Sequence, residues 1–288
     1  MKKILRLIER LIYIVKWWFL KQKWRFVSLQ YSNAKTVTNT NYSIGITTYK
    51  ERFETYLKPL VLHLNYLFPH MQIIVAINGF HNQKEQTEYL NKIKSFLSNF
   101  KNIDFVYYEQ PHGLCKLWNQ LIILSKSDKI VVLNDDISIS KKLKTEIEES
   151  KILNSNFGLI NGSYSHFLIN KKIINQIGWF DERFPGIGYE DHDYEIRLAL
   201  QGVSPDFYNF KTIKNENVTP KDWSWGDDDT KIFKKYSHAN EKHYFSKWEI
   251  SDTAKHGFVH VRIIKGYAKL KDGMETPNFY PDLNEVKA

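Results

Sequence analysis

From residue 42 onward the chain alternates short β-branched runs with longer segments of helical spacing, and this alternation narrows the fold more than any other property of the sequence. Tyr42–Thr48 (YSIGITT), Gln72–Asn78 (QIIVAIN), Ile103–Glu109 (IDFVYYE) and Lys129–Leu133 (KIVVL) read as strands. Between them Glu54–Phe68, Glu85–Phe100 and Leu114–Ser125 read as helices. Near-continuous apolar strands are buried on both faces, so the pattern predicts an α/β protein: a mostly parallel sheet with helices on both faces, in a single main domain. In such sheets ligands sit beyond the carboxyl ends of the strands. The places to look are therefore Thr47-Thr48-Tyr49-Lys50, Asn78-Gly79 and Asn134-Asp135-Asp136.

Composition removes several classes of function. With one cysteine, Cys115, in 288 residues, no intrachain disulfide and no Cys-based zinc cluster can form. The formal charge of +9 is concentrated at one end, because residues 1–26 hold eight basic residues and one acid. They carry +7, which leaves 9 − 7 = +2 for the other 262 residues. A body that close to neutral has no footprint for a phosphate backbone, and nucleic acid is not expected as a partner.

The basic segment has its own reading. Over residues 4–20 the polar groups Arg6, Glu9, Arg10, Tyr13 and Lys16 recur at helical steps, while Ile, Leu, Val, Trp and Phe fill the remaining circumference. Trp17, Trp18 and Trp24 beside lysines and arginines suit a headgroup boundary. The uncharged runs Leu11–Val15 and Trp17–Leu20 fall short of the roughly 20 apolar residues a bilayer needs, and no signal-peptide pattern follows. Residues 1–26 are thus expected to form an amphipathic helix lying on a membrane surface, and the protein to be cytoplasmic, peripheral at the inner face of the membrane. Packing of that helix on the protein's own core or on another subunit, and a short spanning anchor, are the alternatives.

Two constellations carry chemistry. Asn134-Asp135-Asp136 leaves a buried strand, and adjacent carboxylates need a cation or a donor to stay ionised together; hard oxygen ligands suit Mg²⁺ or Mn²⁺. An Asx turn satisfying its own backbone is the other reading. The second constellation is Gly178-Trp179-Phe180-Asp181-Glu182 followed by Gly186-Ile187-Gly188-Tyr189-Glu190-Asp191-His192-Asp193. Helix capping accounts for an acid at such a position. Three acids in four positions behind Gly-x-Gly instead suit a loop that brings a general base to a hydroxyl. No dinucleotide fingerprint and no Walker-type phosphate loop occurs.

In this order the pieces resemble a family 2 glycosyltransferase of the GT-A, Rossmann-like fold, over about residues 42–250. The resemblance rests on Thr47-Thr48-Tyr49, Asn78-Gly79, Gly113 and Asn119, Asn134-Asp135-Asp136 at the DXD position, and the Gly-Trp-Phe-Asp-Glu and Glu190-Asp191-His192-Asp193 segments. It implies inverting transfer of a sugar from a nucleotide donor, UDP-sugar favoured, to a glycan or lipid-linked acceptor. It further implies that Thr47, Tyr49, Asn78 and Asn119 line the donor site, that Asn134 faces the ribose with Asp135 beside it, and that Asp136 ligates Mn²⁺ or Mg²⁺. Asp191 becomes the general base, with Trp179 and Glu190 on the acceptor side.

The sequence departs from the family at Ile77, where many relatives carry an acid, and at Asn134, which replaces the first acid of the DXD. No metal-site histidine falls between Ile213 and Trp223, which leaves His238, His243, His256 and His260 as candidates. Asp227-Asp228-Asp229 reads as a solvated turn. The expected organisation is a membrane-surface helix at 1–26, a transferase domain at 27–250 and a C-terminal extension at 251–288. A catalytically silent carbohydrate-binding or scaffold protein of the same fold, and a nucleotidyltransferase, are the competing functions.

Overall fold

The computed structural model describes residues 15, 37, 39–49, 52–79, 83–216, 227–250 and 268–281. The expected helix at 1–26 lies outside these residues, Val15 apart. Among the described residues no helix is long and apolar enough to cross a membrane.

Three parallel βα units open the structure. Strand β1 (Asn39–Tyr49) leads through a π-helical turn, Phe53–Leu57, into α1 (Lys58–Leu67) and β2 (Met71–Asn78); α2 (Gln83–Leu97), β3 (Ile103–Tyr107), α3 (Leu114–Leu124) and β4 (Lys129–Asn134) follow. The seven-stranded sheet has the order β3-β2-β1-β4-β7-β6-β8, in which β6 is Phe157–Ile160, β7 Ser163–Asn170 and β8 Asp206–Tyr208. The first four strands are mutually parallel, and β7 runs antiparallel to β4. The predicted α/β class and mostly parallel sheet are borne out.

Alternation along the strands explains the two layers of helices. In β2, Ile73, Val75 and Ile77 face one core with α1 and α2, whereas Ile74 and Ala76 face the other with α3. Strand β4 divides the same way, Val131 and Leu133 against Ile130 and Val132. Side chains of successive strand residues point to opposite faces, so a strand buried on both sides must be apolar throughout. At Gly45 β1 leaves no room for a side chain beneath α3: a Cβ there would meet Leu121 Cδ1 at 2.9 Å.

After β4 the chain leaves the parallel pattern, and β7 pairs antiparallel with both β4 and β6. A tight hairpin, Asn161-Gly162 with φ of 56° and 67°, joins β6 to β7. Two short helices, α4 (Leu143–Glu149) and α5 (Lys172–Ile177), flank this hairpin in sequence, and α6 (Glu190–Leu200) follows. Strand β5 (Ile137–Ile139) pairs with β9 (Ile213–Asn215), and a 21-residue helix, α7 (Asp227–Lys247), runs into β10 (Trp248–Ile250). Asp227-Asp228-Asp229, read as a turn, opens that helix. Residues 268–281, in the stretch read as a C-terminal extension, return to the same core. There β11 (Ala268–Leu270) pairs with β10, and Tyr280 packs on Trp179 with ring centroids 5.0 Å apart.

Candidate active site

The sheet order reverses between β1 and β4: β2 and β3 continue to one side of β1, and the chain then crosses to the other. A crevice outside the carboxyl ends of strands at such a switch point is where open α/β sheets bind ligands. Thr47 pairs with Asn134 across this boundary, and Tyr49 pairs with Asn78 on the other side of β1. Four of the predicted donor-site residues therefore stand at one sheet edge.

Asp135 and Asp136 complete this corner. Asp135, 1% exposed, accepts hydrogen bonds from Thr48 Oγ1 at 2.6 Å and Arg52 Nη1 at 2.7 Å. Burial, opposed by Arg52 and reinforced by the neighbouring Asp136, pushes its carboxyl up to about 6. Asp136 lies 3.2 Å from the same Arg52 nitrogen, and its carbonyl accepts the amide of Glu216 at 2.9 Å. That bond continues the β5–β9 pairing, so the acidic turn is fixed from both sides.

Beside them His166 enters from β7, opposite Leu133. Its Nε2 is 2.8 Å from Asn215 Oδ1, and its Nδ1 lies 3.5 Å from the Asn134 amide. Burial lowers its pKa, which suits a neutral ring that donates from Nε2 to the Asn215 carbonyl oxygen and accepts at Nδ1. Arg52, His166 and Asn215 were not singled out from sequence. A histidine inside a strand and an arginine in a turn carry no motif, and only the fold brings them to the acidic pair.

The fit of a divalent cation follows from these contacts. Among the described residues no group of three His, Cys, Asp or Glu side chains gathers as a ready-made cage, and His166 is engaged at both nitrogens. Asp136 offers one carboxylate at a strand end. Such a donor set fits Mg²⁺ or Mn²⁺ bound through one carboxylate, with diphosphate oxygens and water filling the octahedron.

The second constellation forms the start of α6, behind Tyr189 in the left-handed region at φ 72°. The structure separates its three acids. Asp193 is fully buried and bound by Arg197 Nε at 3.0 Å, Trp248 Nε1 at 2.9 Å and Lys247 Nζ at 2.5 Å. Glu190, 4% exposed, lies under Asn240, whose amide also reaches the Gly188 carbonyl. Burial and then the adjacent Asp191 push Glu190 up to about 8. Asp191 is partly exposed and accepts the amide of His192 at 2.9 Å. It raises Glu195 as well, which burial and Asp191 together bring to about 7.

Strand β7 links the two constellations. Tyr164, buried near its start, feels the charges of Glu195 and Asp191, and His166 two residues later feels Asp136. Because β7 runs antiparallel to β4, its first residues lie at the edge where β4 ends. Beyond that edge the two diverge: α6 packs through Tyr194, Ile196 and Leu198 into the core that faces α3, whereas Ile137 and Ile139, directly after the acidic turn, join the core that faces α1 and α2.

Other predicted residues hold the frame. Asn78 clamps the loop before α3, donating to the His112 carbonyl and accepting its amide, both at 2.9 Å. Asn119, inside α3, binds the Phe180 carbonyl and amide and donates to Glu182. Trp179 donates to Asn278 Oδ1 at 3.1 Å and to the Tyr280 carbonyl at 3.2 Å. Of the candidate histidines, His243 lies 3.3 Å from Asp181 and His238 3.3 Å from Glu241; His256 and His260 lie outside the described residues.

A flagellar assembly protein FliH of Buchnera aphidicola is 30% identical over 102 residues, which cover 34% of this chain and 44% of that protein. The chain thus spans less than half the length of this curated relative. Among solved structures, S. aureus TarS residues 1–349 align at 13% identity and TM-score 0.44, covering 71% of this chain and 72% of that one. A glucosyl-3-phosphoglycerate synthase from Mycobacterium tuberculosis aligns at 11% identity and TM-score 0.45, covering 63% and 72%. GalNAc-T7 aligns at 11% and TM-score 0.44, covering 72% and 50%. Residues 121–219, which contain Asn134, Asp135, Asp136, Trp179, Glu190 and Asp191, match the family described as Glycosyltransferase like family 2, the family that the motifs resemble.

Proposed function

We propose that this chain is an inverting glycosyltransferase that moves a sugar from a nucleotide diphosphate donor, with a UDP-sugar as the donor to test first, to a hydroxyl of a glycan or lipid-linked acceptor. One observation carries the reading: Asp135 and Asp136, tied to Thr48 and Arg52, stand at the β1/β4 switch point, within the segment that matches the glycosyltransferase family. Thr47, Tyr49 and Asn134 flank them and would line the nucleoside. Held by Asp136, a divalent cation would neutralise charge on the departing diphosphate.

On the acceptor side Asp191 is the carboxylate left open. Asp193 is committed to Arg197, Lys247 and Trp248, and Glu190 is buried. Asp191 would take the proton of the acceptor hydroxyl as that oxygen attacks the anomeric carbon from the face opposite the leaving group. Residues 1–26 would hold the enzyme at an anionic membrane surface, where each basic residue contributes about 1 kcal/mol.

Titration of UDP in the presence of Mn²⁺ tests the donor site. The parent is expected to bind UDP more tightly with Mn²⁺ than without. Asp136→Ala is expected to lose that Mn²⁺ dependence and keep the fold, because the residue lies in the turn between β4 and β5 and takes no part in the apolar cores. An unchanged Mn²⁺ dependence in Asp136→Ala would mean that the acidic pair is only a turn.

A further inference from the structure

Adjacent carboxylates buried at a strand end need a counter-charge before any ligand arrives. Arg52 supplies it. One nitrogen, Nη1, stands 2.7 Å from Asp135 Oδ1 and 3.2 Å from Asp136 Oδ2. The guanidinium is flanked by rings, its Cζ 4.9 Å from the Tyr49 centroid and 5.9 Å from that of Tyr56. Arg52 is not part of the sheet; it precedes the π-helical turn Phe53–Leu57, three residues after β1 ends.

Its two contacts are unequal. Asp135 sits closer and also accepts Thr48 Oγ1, whereas Asp136 has the longer contact and is the carboxylate suited to a cation. A divalent ion on Asp136 and a guanidinium against the same oxygen would repel each other. A diphosphate, in contrast, attracts both, and the planar fork of arginine matches phosphate oxygens.

Resting on the glycosyl-transfer reading above, we propose that Arg52 is a resident counter-ion that stays anchored to Asp135 and moves from Asp136 to the donor diphosphate, so that nucleotide and divalent cation bind as a coupled pair. In the donor-free protein Arg52 competes with the cation for Asp136. When the nucleotide enters, its diphosphate takes the guanidinium and opens Asp136 to the cation. Coupling of this kind is reciprocal: each ligand raises the affinity of the other by the same factor.

Calorimetric titrations of the full chain with Mn²⁺ alone, UDP alone, and UDP at saturating Mn²⁺ test the proposal in the parent, Arg52→Gln and Arg52→Met. Arg52→Gln keeps an N–H for Asp135, and it decides the matter should Arg52→Met fail to fold. Both variants are expected to bind Mn²⁺ alone about tenfold or more tightly than the parent. They are expected to bind UDP about tenfold more weakly, with a smaller factor between UDP affinities measured with and without Mn²⁺. Equal or weaker binding of Mn²⁺ alone by Arg52→Gln would overturn the proposal. A parent that binds no UDP even with Mn²⁺ would instead overturn the transferase reading, while the Mn²⁺-alone comparison would still judge whether Arg52 guards Asp136.

Discussion

At the scale of single residues, the acids of α6 illustrate how environment assigns roles that spacing alone leaves open. Asp191 is the one whose replacement separates a base from a structural acid. Asp191→Asn preserves shape and removes the ability to accept a proton, so donor affinity should stay within a few-fold, while transfer falls by about 10²- to 10⁴-fold. Kinetics with a nucleotide-sugar donor, together with a separate binding titration, provide the check. Near-parental transfer would remove Asp191 from the mechanism and move attention to Glu195, which shares its surroundings. The acidic turn was legible from sequence because two carboxylates directly after an apolar strand have few uses. Arg52 and His166 were not, since their positions acquire meaning only once β1, β4 and β7 lie side by side.

At the scale of elements, α6 is held by a buried ionic network. Lys247, fully buried at the end of α7, lies 2.8 Å from Asp181 and 2.5 Å from Asp193. Arg197 and Arg183 close the two ends of the network. Burial opposes ionisation of Asp181, but hydrogen bonds from His243, Arg183 and Lys247 hold its carboxyl well below the usual range. Removing one partner of a buried ion pair typically costs about 3–5 kcal/mol, because the other charge is stranded. Lys247→Met is accordingly expected to lower stability by about that amount in denaturant titrations, and an effect under about 1 kcal/mol would show that water replaces the lysine. Sequence reading missed α7 because its apolar positions are sparse, and its packing depends on charges from distant segments. The β6–β7 hairpin is a different case. Asn161-Gly162 is a strong type I′ turn signal between two apolar runs, yet the sequence reading did not single it out.

For the molecule as a whole, proton uptake on folding follows from the buried carboxyls. Asp135 titrates at about 6 against an ordinary 3.8, Glu195 at about 7 and Glu190 at about 8 against 4.5. A carboxyl whose pKa is higher in the folded state binds more protons there than in the unfolded chain, so stability falls as pH rises through that interval. These three carboxyls are therefore expected to lower the stability of the donor-free protein from about pH 5 to pH 8, each by at most about 1.4 kcal/mol per pH unit, outweighing the opposite contribution of His166 and His112, whose lowered pKa values add stability as pH rises. Melting temperatures across that range, with Glu190→Gln for comparison, test this: the variant should show a shallower decline. A parent that is equally or more stable at pH 8 would contradict it. Below the ordinary carboxylate range Asp181 acts with the opposite sign, its stabilisation being lost as protons are forced onto it.

The antiparallel course of β7 has a consequence for how such a site can diversify. In a purely parallel sheet, side chains reach the ligand edge only where strands end, and every added residue must lengthen a crossover. Here the strand that follows the turn starts at the ligand edge, and Asn161-Gly162 forms part of its rim, with open space around Gly162. Residues inserted at that turn would extend the rim, while β4, paired with β1 on one side and β7 on the other, keeps its place. The opening of the site can thus change by single-residue steps while the chemistry beneath it stays fixed.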